Sequence, residues 1–470
     1  MASCGYHLFW LIQMVLLRYT VAQTGSPRLS FQNKISYLKD FLTRDFTSFW
    51  SYKDLYFSPS SIGATPRLIQ RSVANLGDEV RLRRLLLNAL KGEKVWMPII
   101  GGSISRGAPF AENGLGHRIY FNAVANWWNT IFEDITGSKL EPQNIALGGV
   151  GSDYFAYCLD PHLNQQFSPE LIIWELSAND KGRYKDKPFP PGCPFEQLTR
   201  NILQRFSRPG LLFINFFRGA DIAQGYCNNY EDEGGLDVAV HYNVTSLSWR
   251  DFICDYIKQN SVQFGKEKAF STDCFHPSIL GHAQMAFIVI NYLRNAFLRA
   301  LRGPAGQATN AENLSRVLNF EFYNIPGVLY QETLTEKPLC FTYMRHNSYE
   351  PNNTLTARVT RQDNFRYNIY KQFKIRADKL CGMKTDVAEQ LIQFAIYLPR
   401  AFSRLVVVSH ADSGSAQVWV DNQTPICIST DDYHMGTLME IVSTNLKPGK
   451  HVINALSLKN GFVISAIAVI

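Results

Sequence analysis

Between residues 95 and 301 the sequence alternates short apolar runs with longer amphipathic stretches, and this alternation limits the possible folds more than any other feature. Three of the apolar runs are 95–100, 171–176 and 211–217, and a turn and then a helical pattern follow each of them. Continuous apolar runs of this length are typical of strands that are buried on both faces. Strands that alternate with helices predict a three-layer α/β domain around a flavodoxin-like parallel sheet.

The helical patterns delimit this α/β domain, which we place at residues 76–302. They cover 78–91, 119–135, 195–206, 247–259 and 277–301. The first of them ends at Gly92, a residue type that often terminates helices. Residues 23–75 show no clear period, and we interpret them as an N-terminal extension that packs on the α/β domain.

A glycine- and proline-containing segment at residues 302–307 is the best candidate for a linker. Beyond it, short runs with turn signals between them replace the helical period, for example at 393–398, 405–408, 416–420 and 462–469. This pattern predicts a second domain at residues 308–470, an antiparallel β-sandwich-like domain.

Four short segments of the first domain contain the residue types that acyl transfer needs. They are Gly-Gly-Ser-Ile-Ser-Arg-Gly at 101–107, Gly-Gly-Val-Gly-Ser at 148–152, Ser-Ala-Asn-Asp at 177–180 and Asp-Cys-Phe-His at 273–276. Acyl transfer requires a nucleophile, an oriented base and donors for the oxyanion. Singly, each segment also fits a structural role, such as a glycine turn or a helix cap. Ser103 and Asn179 both follow predicted parallel strands, at the edge where such folds bind ligands.

The content and order of these segments resemble the SGNH (GDSL-like) hydrolases, over roughly residues 80 to 300. The resemblance implies that Ser103 is the nucleophile and that His276 is the general base and then the general acid. It further implies that Asp273 fixes the tautomer of His276. Ser105 is the less suitable nucleophile, because it lies further into the following segment.

The same resemblance implies an oxyanion hole. Its donors would be the backbone N–H of Ser103, the side-chain amide of Asn179 and a backbone N–H of the glycine cluster. In that cluster Gly148 is favoured and Gly151 is the alternative. The chain departs from the family pattern at two positions next to these atoms: residue 102 is glycine in place of aspartate, and residue 177 is serine in place of glycine.

Charge and composition argue against several other functions. The net charge is +7, but lysine and arginine are scattered, and their densest cluster lies on a helix with more apolar than basic residues. We therefore predict no nucleic-acid partner. The sequence contains no His-Glu-x-x-His and no paired Cys-x-x-Cys, so it predicts no metal site and no cofactor.

The first 22 residues are predicted to be a signal peptide, with an apolar run at 8–17 and small residues at 20–22. An uncleaved anchor is the alternative, because Arg18 follows the run and no basic residue precedes it. No later stretch is long and apolar enough to span a membrane. Four glycosylation sequons, at Asn243, Asn313, Asn352 and Asn422, also agree with a secreted or luminal protein.

Removal of the leader would leave eight of the nine cysteines, an even number. Five of these eight lie before residue 300 and three after it. If all eight pair, at least one disulfide must join the two halves of the chain.

Together these features predict a secreted or luminal serine esterase that removes acetyl or other acyl groups from glycans. An O-acyltransferase or a lipase of the same fold remains possible, as does a glycan-binding protein without catalysis. The C-terminal domain would bind glycan or orient the first domain. The acyl group, the acceptor and the oligomeric state stay open.

Overall fold

The computed structural model describes residues 29–43 and 60–470, apart from short segments at 165, 186, 188–189, 207–208, 224–225, 321–323, 331–336, 345–356, 372–378, 411–412, 431–435 and 460. The predicted signal peptide and the sequon at Asn352 lie outside the described residues. In the part of the chain that is described, no helix combines the length and apolarity needed to cross a membrane.

A mainly parallel sheet forms the centre of the first domain. Within the described residues it has six strands in the order β1-β8-β5-β4-β2-β3, and only β1 runs antiparallel, to β8. These strands are β1 (Val73–Asn75), β2 (Val95–Gly101), β3 (Leu140–Asn144), β4 (Leu171–Glu175), β5 (Gly210–Asn215) and β8 (Thr245–Ser248). A small hairpin, β6 (Ile222–Ala223) and β7 (Tyr226–Cys227), lies between β5 and β8 in the chain. The predicted α/β class is confirmed.

Helices cover both faces of this sheet. Successive residues of a strand point to opposite faces, and accordingly Ile173 and Leu212 pack in one apolar cluster while Ile172 and Leu211 pack in another. The helices are α1 (Phe31–Thr43), α2 (Pro66–Arg71), α3 (Val80–Lys91), α4 (Ser103–Arg106), α5 (Tyr120–Trp128), α6 (Asp134–Thr136), α7 (Ser152–Cys158), α8 (Ser177–Asp180), α9 (Cys193–Arg205), α10 (Gly235–His241), α11 (Trp249–Lys258), α12 (Lys266–Ala269), α13 (Ile279–Ala300) and α14 (Ala311–Leu318).

Segments on both sides of residues 76–302 also pack on the core of the α/β domain. The predicted extension includes α1, whose buried Ile35, Leu38 and Leu42 belong to one of the two core clusters, and β1, which joins the sheet. After the predicted linker, α14 also packs on this core through Leu314 and Leu318. Among the described residues, the first strand of the second domain begins at residue 339.

The second domain is built from antiparallel strands, as predicted. Its described strands form a five-stranded sheet in the order β10-β13-β18-β15-β16, a four-stranded sheet in the order β17-β14-β20-β9 and a three-stranded sheet in the order β11-β12-β19. The strands are β9 (Leu339–Thr342), β10 (Arg358–Gln362), β11 (Arg366–Lys371), β12 (Lys379–Lys384), β13 (Leu391–Leu398), β14 (Phe402–His410), β15 (Ser415–Val420), β16 (Ile426–Ser429), β17 (Thr437–Leu446), β18 (Gly449–Ser457), β19 (Val463–Ile464) and β20 (Ala466–Val469). Alternate residues of these strands, such as Ile392, Phe394 and Ile396, point inward and form a third apolar cluster.

The two domains share buried apolar surface. Val406, Val408 and Ala468 of the four-stranded sheet belong to the same cluster as Phe155 of α7. A disulfide between Cys158 and Cys340 joins the end of α7 to β9, so one bridge does connect the two halves of the chain.

A second disulfide joins Cys227 to Cys254 inside the first domain. Cys274 and Cys427 are exposed and form no disulfide with a described cysteine. The eight cysteines that follow the predicted leader therefore do not all pair in this structure, although one disulfide joins the two halves of the chain.

Removal of the interdomain disulfide by Cys158→Ala with Cys340→Ala should lower the free energy of unfolding by about 2–5 kcal/mol, because the bridge closes a long loop of the unfolded chain. Denaturant titration measures this change, with Cys427→Ala as the matched control. Reductant should destabilise the wild type more than the double variant. Equal stability of all three proteins would contradict the structural importance of this bridge.

Candidate active site

Ser103 lies in a turn directly after the carboxyl end of β2. Gly102 is extended, with φ −93° and ψ −152°, and Ser103 is the first residue of the one-turn helix α4. The helix ends at Gly107, whose φ of 95° is a left-handed conformation that favours glycine. This sharp strand–turn–helix connection places the hydroxyl of Ser103 at the edge of the parallel sheet, where the residue is 8% exposed.

His276 reaches Ser103 from a distant part of the chain. Its Nε2 atom lies 2.7 Å from Ser103 Oγ, and its Nδ1 atom lies 2.7 Å from Asp273 Oδ2. The ring is therefore held between the hydroxyl and the carboxylate. The structure brings together the three residues that the sequence analysis assigned to the triad.

A tight turn fixes the carboxylate of Asp273. Its Oδ1 atom accepts hydrogen bonds from the hydroxyl of Ser271 (2.6 Å) and from the backbone N–H groups of Phe275 (2.9 Å) and His276 (3.0 Å). Partial burial raises the pKa of Asp273, but the hydrogen bonds from His276 and Ser271 outweigh it and hold that pKa well below its usual value. The carboxylate is thus ionised and can stabilise a protonated imidazole.

Asn179 lies in the α8 turn at the end of β4, next to the turn of the serine. Its Nδ2 atom donates to the carbonyl of Val150 at 2.6 Å, which uses one of the two amide hydrogens. A Cβ atom placed on Gly102 would lie 2.4 Å from this Nδ2. Glycine at position 102 therefore allows the amide of Asn179 to pack directly against the backbone that precedes Ser103.

Ser177, the other departure from the family pattern, has a structural partner. The residue is 1% exposed, and its hydroxyl donates to the carbonyl of Phe216 at 2.7 Å. This bond ties the turn after β4 to the segment after β5. Both departures thus fit the local packing around the turns.

The glycine cluster forms the loop between β3 and α7. The N–H of Val150 donates to Leu147 and that of Ser152 to Asp180 Oδ1 at 2.8 Å. In contrast, the N–H groups of Gly148 and Gly151 donate to no acceptor within the described residues. Gly148 and Gly151 both remain candidates for the oxyanion donor.

Two buried carboxyl groups beneath the site were not assigned a catalytic-site role from the sequence. Glu175, the last residue of β4, accepts bonds at Oε2 from the N–H (3.2 Å) and the hydroxyl (2.9 Å) of Ser105. Asp180 accepts at Oδ1 from the N–H of Ser152 (2.8 Å) and the hydroxyl of Tyr184 (2.9 Å). Burial raises the pKa of Glu175 to about 8 and that of Asp180 to about 7.

These carboxyl groups hold the turns that carry the site. The bonds from Ser105 to Glu175 fix α4, and the bond from Ser152 to Asp180 fixes the start of α7. The hydroxyl of Ser105, which also lies 2.8 Å from that of Tyr120, is fully buried and so is unsuited to attack a substrate. The sequence carries two signals for this arrangement: a single glutamate in the apolar run 171–176, and Asp180, which the segment 177–180 predicts as a residue that holds the loop.

The arrangement is equipped for nucleophilic catalysis. A serine hydroxyl within hydrogen-bond distance of an imidazole that a carboxylate orients can be deprotonated as it attacks. Among the described residues, no group of three or more His, Cys, Asp or Glu side chains is placed to hold a metal ion.

Comparison with known proteins gives similarity in structure rather than in sequence. No family model matches the chain, and no curated protein matches it. The crystal structure of a two-domain esterase (CEX) active on acetylated mannans is similar over 85% of this chain and 97% of that chain, with a TM-score of 0.58 and 16% identity. The same esterase co-crystallised with mannopentaose gives a TM-score of 0.57 and 17% identity over the same shares of the two chains. This chain therefore has the same two-domain fold as that esterase.

Substitution of Gly102 by alanine should lower kcat about 10- to 100-fold, because the added Cβ would displace the amide of Asn179. In an Asn179→Ala background the same substitution should cost much less. Hydrolysis of a small aryl acetate measures both effects, with Gly116→Ala as the control, since a Cβ there meets no atom closer than 3.9 Å. Additive losses in the double variant would contradict the proposed contact.

The raised pKa of Glu175 predicts a dependence of stability on pH. Because the folded state holds the proton more tightly than the unfolded state, Glu175 lowers stability increasingly as pH rises from about 4.5 towards 8. Glu175→Gln removes this titration. The variant should therefore gain roughly 1–3 kcal/mol relative to the wild type between pH 5 and pH 8. Denaturant unfolding across this pH range measures the difference, and a constant difference would contradict the buried, protonated carboxyl.

Proposed function

We propose that this protein is a serine esterase of the SGNH type that removes acyl groups, above all acetyl groups, from glycans. The observation that carries the proposal is the continuous chain of hydrogen bonds from Ser103 through His276 to Asp273, with 2.7 Å at each step. The triad lies at the carboxyl edge of a parallel sheet, where α/β folds bind ligands.

In this mechanism Ser103 Oγ attacks the ester carbonyl while Nε2 of His276 takes its proton. Asp273 stabilises the resulting imidazolium. The oxyanion of the tetrahedral intermediate is bound by the N–H of Ser103, by the amide of Asn179 and by the N–H of Gly148, or of Gly151 in its place. The bond between the carbonyl carbon and the sugar oxygen then breaks, His276 gives its proton to that oxygen, and the acetyl group stays on Ser103.

Water completes the reaction. His276 removes a proton from a water molecule, the resulting hydroxide attacks the acetylated Ser103, and acetate leaves as the proton returns to the serine oxygen. If a sugar hydroxyl takes the place of water, the same steps transfer the acetyl group to that sugar. Analysis of the products separates hydrolysis from transfer.

Two observations support a glycan ester as the substrate. The esterase that shares the two-domain fold is described as active on acetylated mannans. The disulfides at Cys158–Cys340 and Cys227–Cys254 are of the kind that persists in oxidising compartments. They agree with a secreted or luminal enzyme that meets extracellular polysaccharides.

Replacement of Ser103 or His276 by alanine should lower acetate release from an acetylated glycan by at least about 10³-fold, because either change removes the activated nucleophile. Labelling by a fluorophosphonate probe should disappear in both variants. Ser105→Ala should still be labelled, although more slowly, because its buried hydroxyl holds α4 against Glu175 and does not itself attack the probe.

Two outcomes would contradict the proposal. Esterase activity retained in Ser103→Ala would exclude Ser103 as the nucleophile. A folded wild-type protein that neither reacts with the probe nor releases acetate would favour a glycan-binding protein without catalysis.

A further inference from the structure

We propose that the C-terminal domain takes part in catalysis by clamping the glycine loop of the oxyanion hole, through Arg183 and Thr437. The inference rests on the proposed esterase function. It assigns both residues as positioning residues, which touch no substrate and act through the loop at 148–151.

Arg183 is the centre of the clamp. It follows the turn that carries Asn179, and its side chain is only 11% exposed. Its Nε atom donates to Asp153 Oδ2 at 3.1 Å, so the first residues of α7 neutralise its charge. The remaining nitrogens of the guanidinium point towards the glycine loop and the second domain.

Those nitrogens join the two domains at the loop. Nη1 lies 3.4 Å from the carbonyl oxygen of Gly149, and Nη2 donates to the carbonyl oxygen of Thr437 and, at 2.7 Å, to its hydroxyl. The stem of Arg183 also lies against Gly151, where a Cβ would come within 2.9 Å of Cδ. Arg183 therefore contacts the loop on both sides of Val150.

The second domain also binds the loop directly. The backbone N–H of Thr437, the first residue of β17, donates to the carbonyl of Gly149 at 3.3 Å. Gly436 has a φ of +85°, and a Cβ on it would lie 2.2 Å from that carbonyl oxygen. Only glycine permits so close an approach.

The carbonyl of Gly149 is thus held by Arg183 from the first domain and by Thr437 from the second. This carbonyl belongs to the peptide group between the two candidate oxyanion donors, Gly148 and Gly151. Gly149 itself has a φ of +72°, and because glycine has no Cβ, its own sterics do little to fix the backbone in this conformation. External hydrogen bonds therefore fix the direction of the neighbouring N–H groups, and preorganised donors are what stabilise a developing oxyanion.

The far end of the same segment is anchored to the second domain as well. Helix α7 follows the loop, and its last residue, Cys158, is bonded to Cys340 of β9. Inside the helix, the hydroxyl oxygen of Tyr154 lies 2.8 Å from the hydroxyl oxygen of Thr342. The second domain therefore holds residues 148–158 at both ends.

A domain that only binds glycan would predict different effects. If the second domain only bound glycan, weakening its contacts with the first domain would raise KM for polysaccharides. The values of kcat and KM for small esters would stay unchanged. A clamp on the oxyanion loop predicts a lower kcat with every ester, including para-nitrophenyl acetate, with KM almost unchanged.

The test compares isosteric and conservative variants in the full-length protein. Thr437→Val removes the hydroxyl that Arg183 binds and keeps the side-chain shape, whereas Thr437→Ser keeps the hydroxyl. Arg183→Lys keeps the charge and loses the bonds that the guanidinium makes to both domains. Glu440→Gln is the control, because it breaks the ion pair of Lys187 with Glu440 (3.6 Å) across the same interface without touching the loop.

With para-nitrophenyl acetate, kcat should fall about 10- to 100-fold in Arg183→Lys and about 3- to 10-fold in Thr437→Val, with KM within about 2-fold. Thr437→Ser and Glu440→Gln should keep wild-type kcat. The rate of fluorophosphonate labelling should fall in parallel, because the phosphonyl oxygen occupies the same oxyanion hole. Thermal unfolding checks that Thr437→Val stays folded.

Different results would contradict the clamp and the esterase function. An active wild type with unchanged kcat in both Arg183→Lys and Thr437→Val would overturn the clamp and leave the esterase proposal standing. A decrease in kcat that Glu440→Gln or Thr437→Ser shows to the same extent would also overturn the clamp and leave the esterase proposal standing. A wild type with no Ser103-dependent activity would overturn both proposals.

Discussion

The hydrogen bond between Ser103 and His276 is the contact on which the arrangement of the site depends. It joins residues that are 173 positions apart, at the two ends of the α/β domain. Such a contact forms only when the sheet places the end of β2 opposite the turn that precedes α13. The parallel order of the strands therefore positions the candidate catalytic groups as much as the local motifs do.

Buried polar groups keep these turns in place. Glu175 and Asp180 are taken out of water, which disfavours their charged forms, and each accepts hydrogen bonds from a segment that carries part of the site. A buried carboxyl is costly unless its bonds are made. This cost makes other conformations of the two turns unfavourable, and glycine at position 102 then lets Asn179 approach the serine turn closely.

Much of the fold could be predicted from the sequence, because β2, β4 and β5 are short continuous apolar runs next to glycines and helical patterns, as is typical of buried parallel strands. The strands at or near the sheet edge, β1, β3 and β8, are short or polar and carry no such pattern. Helix α14 was missed for another reason: its Leu314 and Leu318 are an ordinary apolar pair until the distant core against which they pack is known.

The candidate site shows the same division. Short motifs marked the triad and Asn179, since their chemistry requires particular residue types at fixed spacing. Arg183 and Thr437 carry no such mark, because they are 254 positions apart and meet only through the packing of two domains. The sequence indicated a connection between the two domains only through the number of cysteines, which requires an interdomain disulfide if all eight pair. No local pattern indicated the contact between Arg183 and Thr437.

Mass spectrometry of the protein, quenched during turnover of an acetylated ester, shows whether an acyl group passes through Ser103. We expect one acetyl group on the peptide that contains Ser103, which accumulates during turnover and is absent in Ser103→Ala. Turnover with acetyl on another residue, or an unchanged adduct in Ser103→Ala, would contradict it.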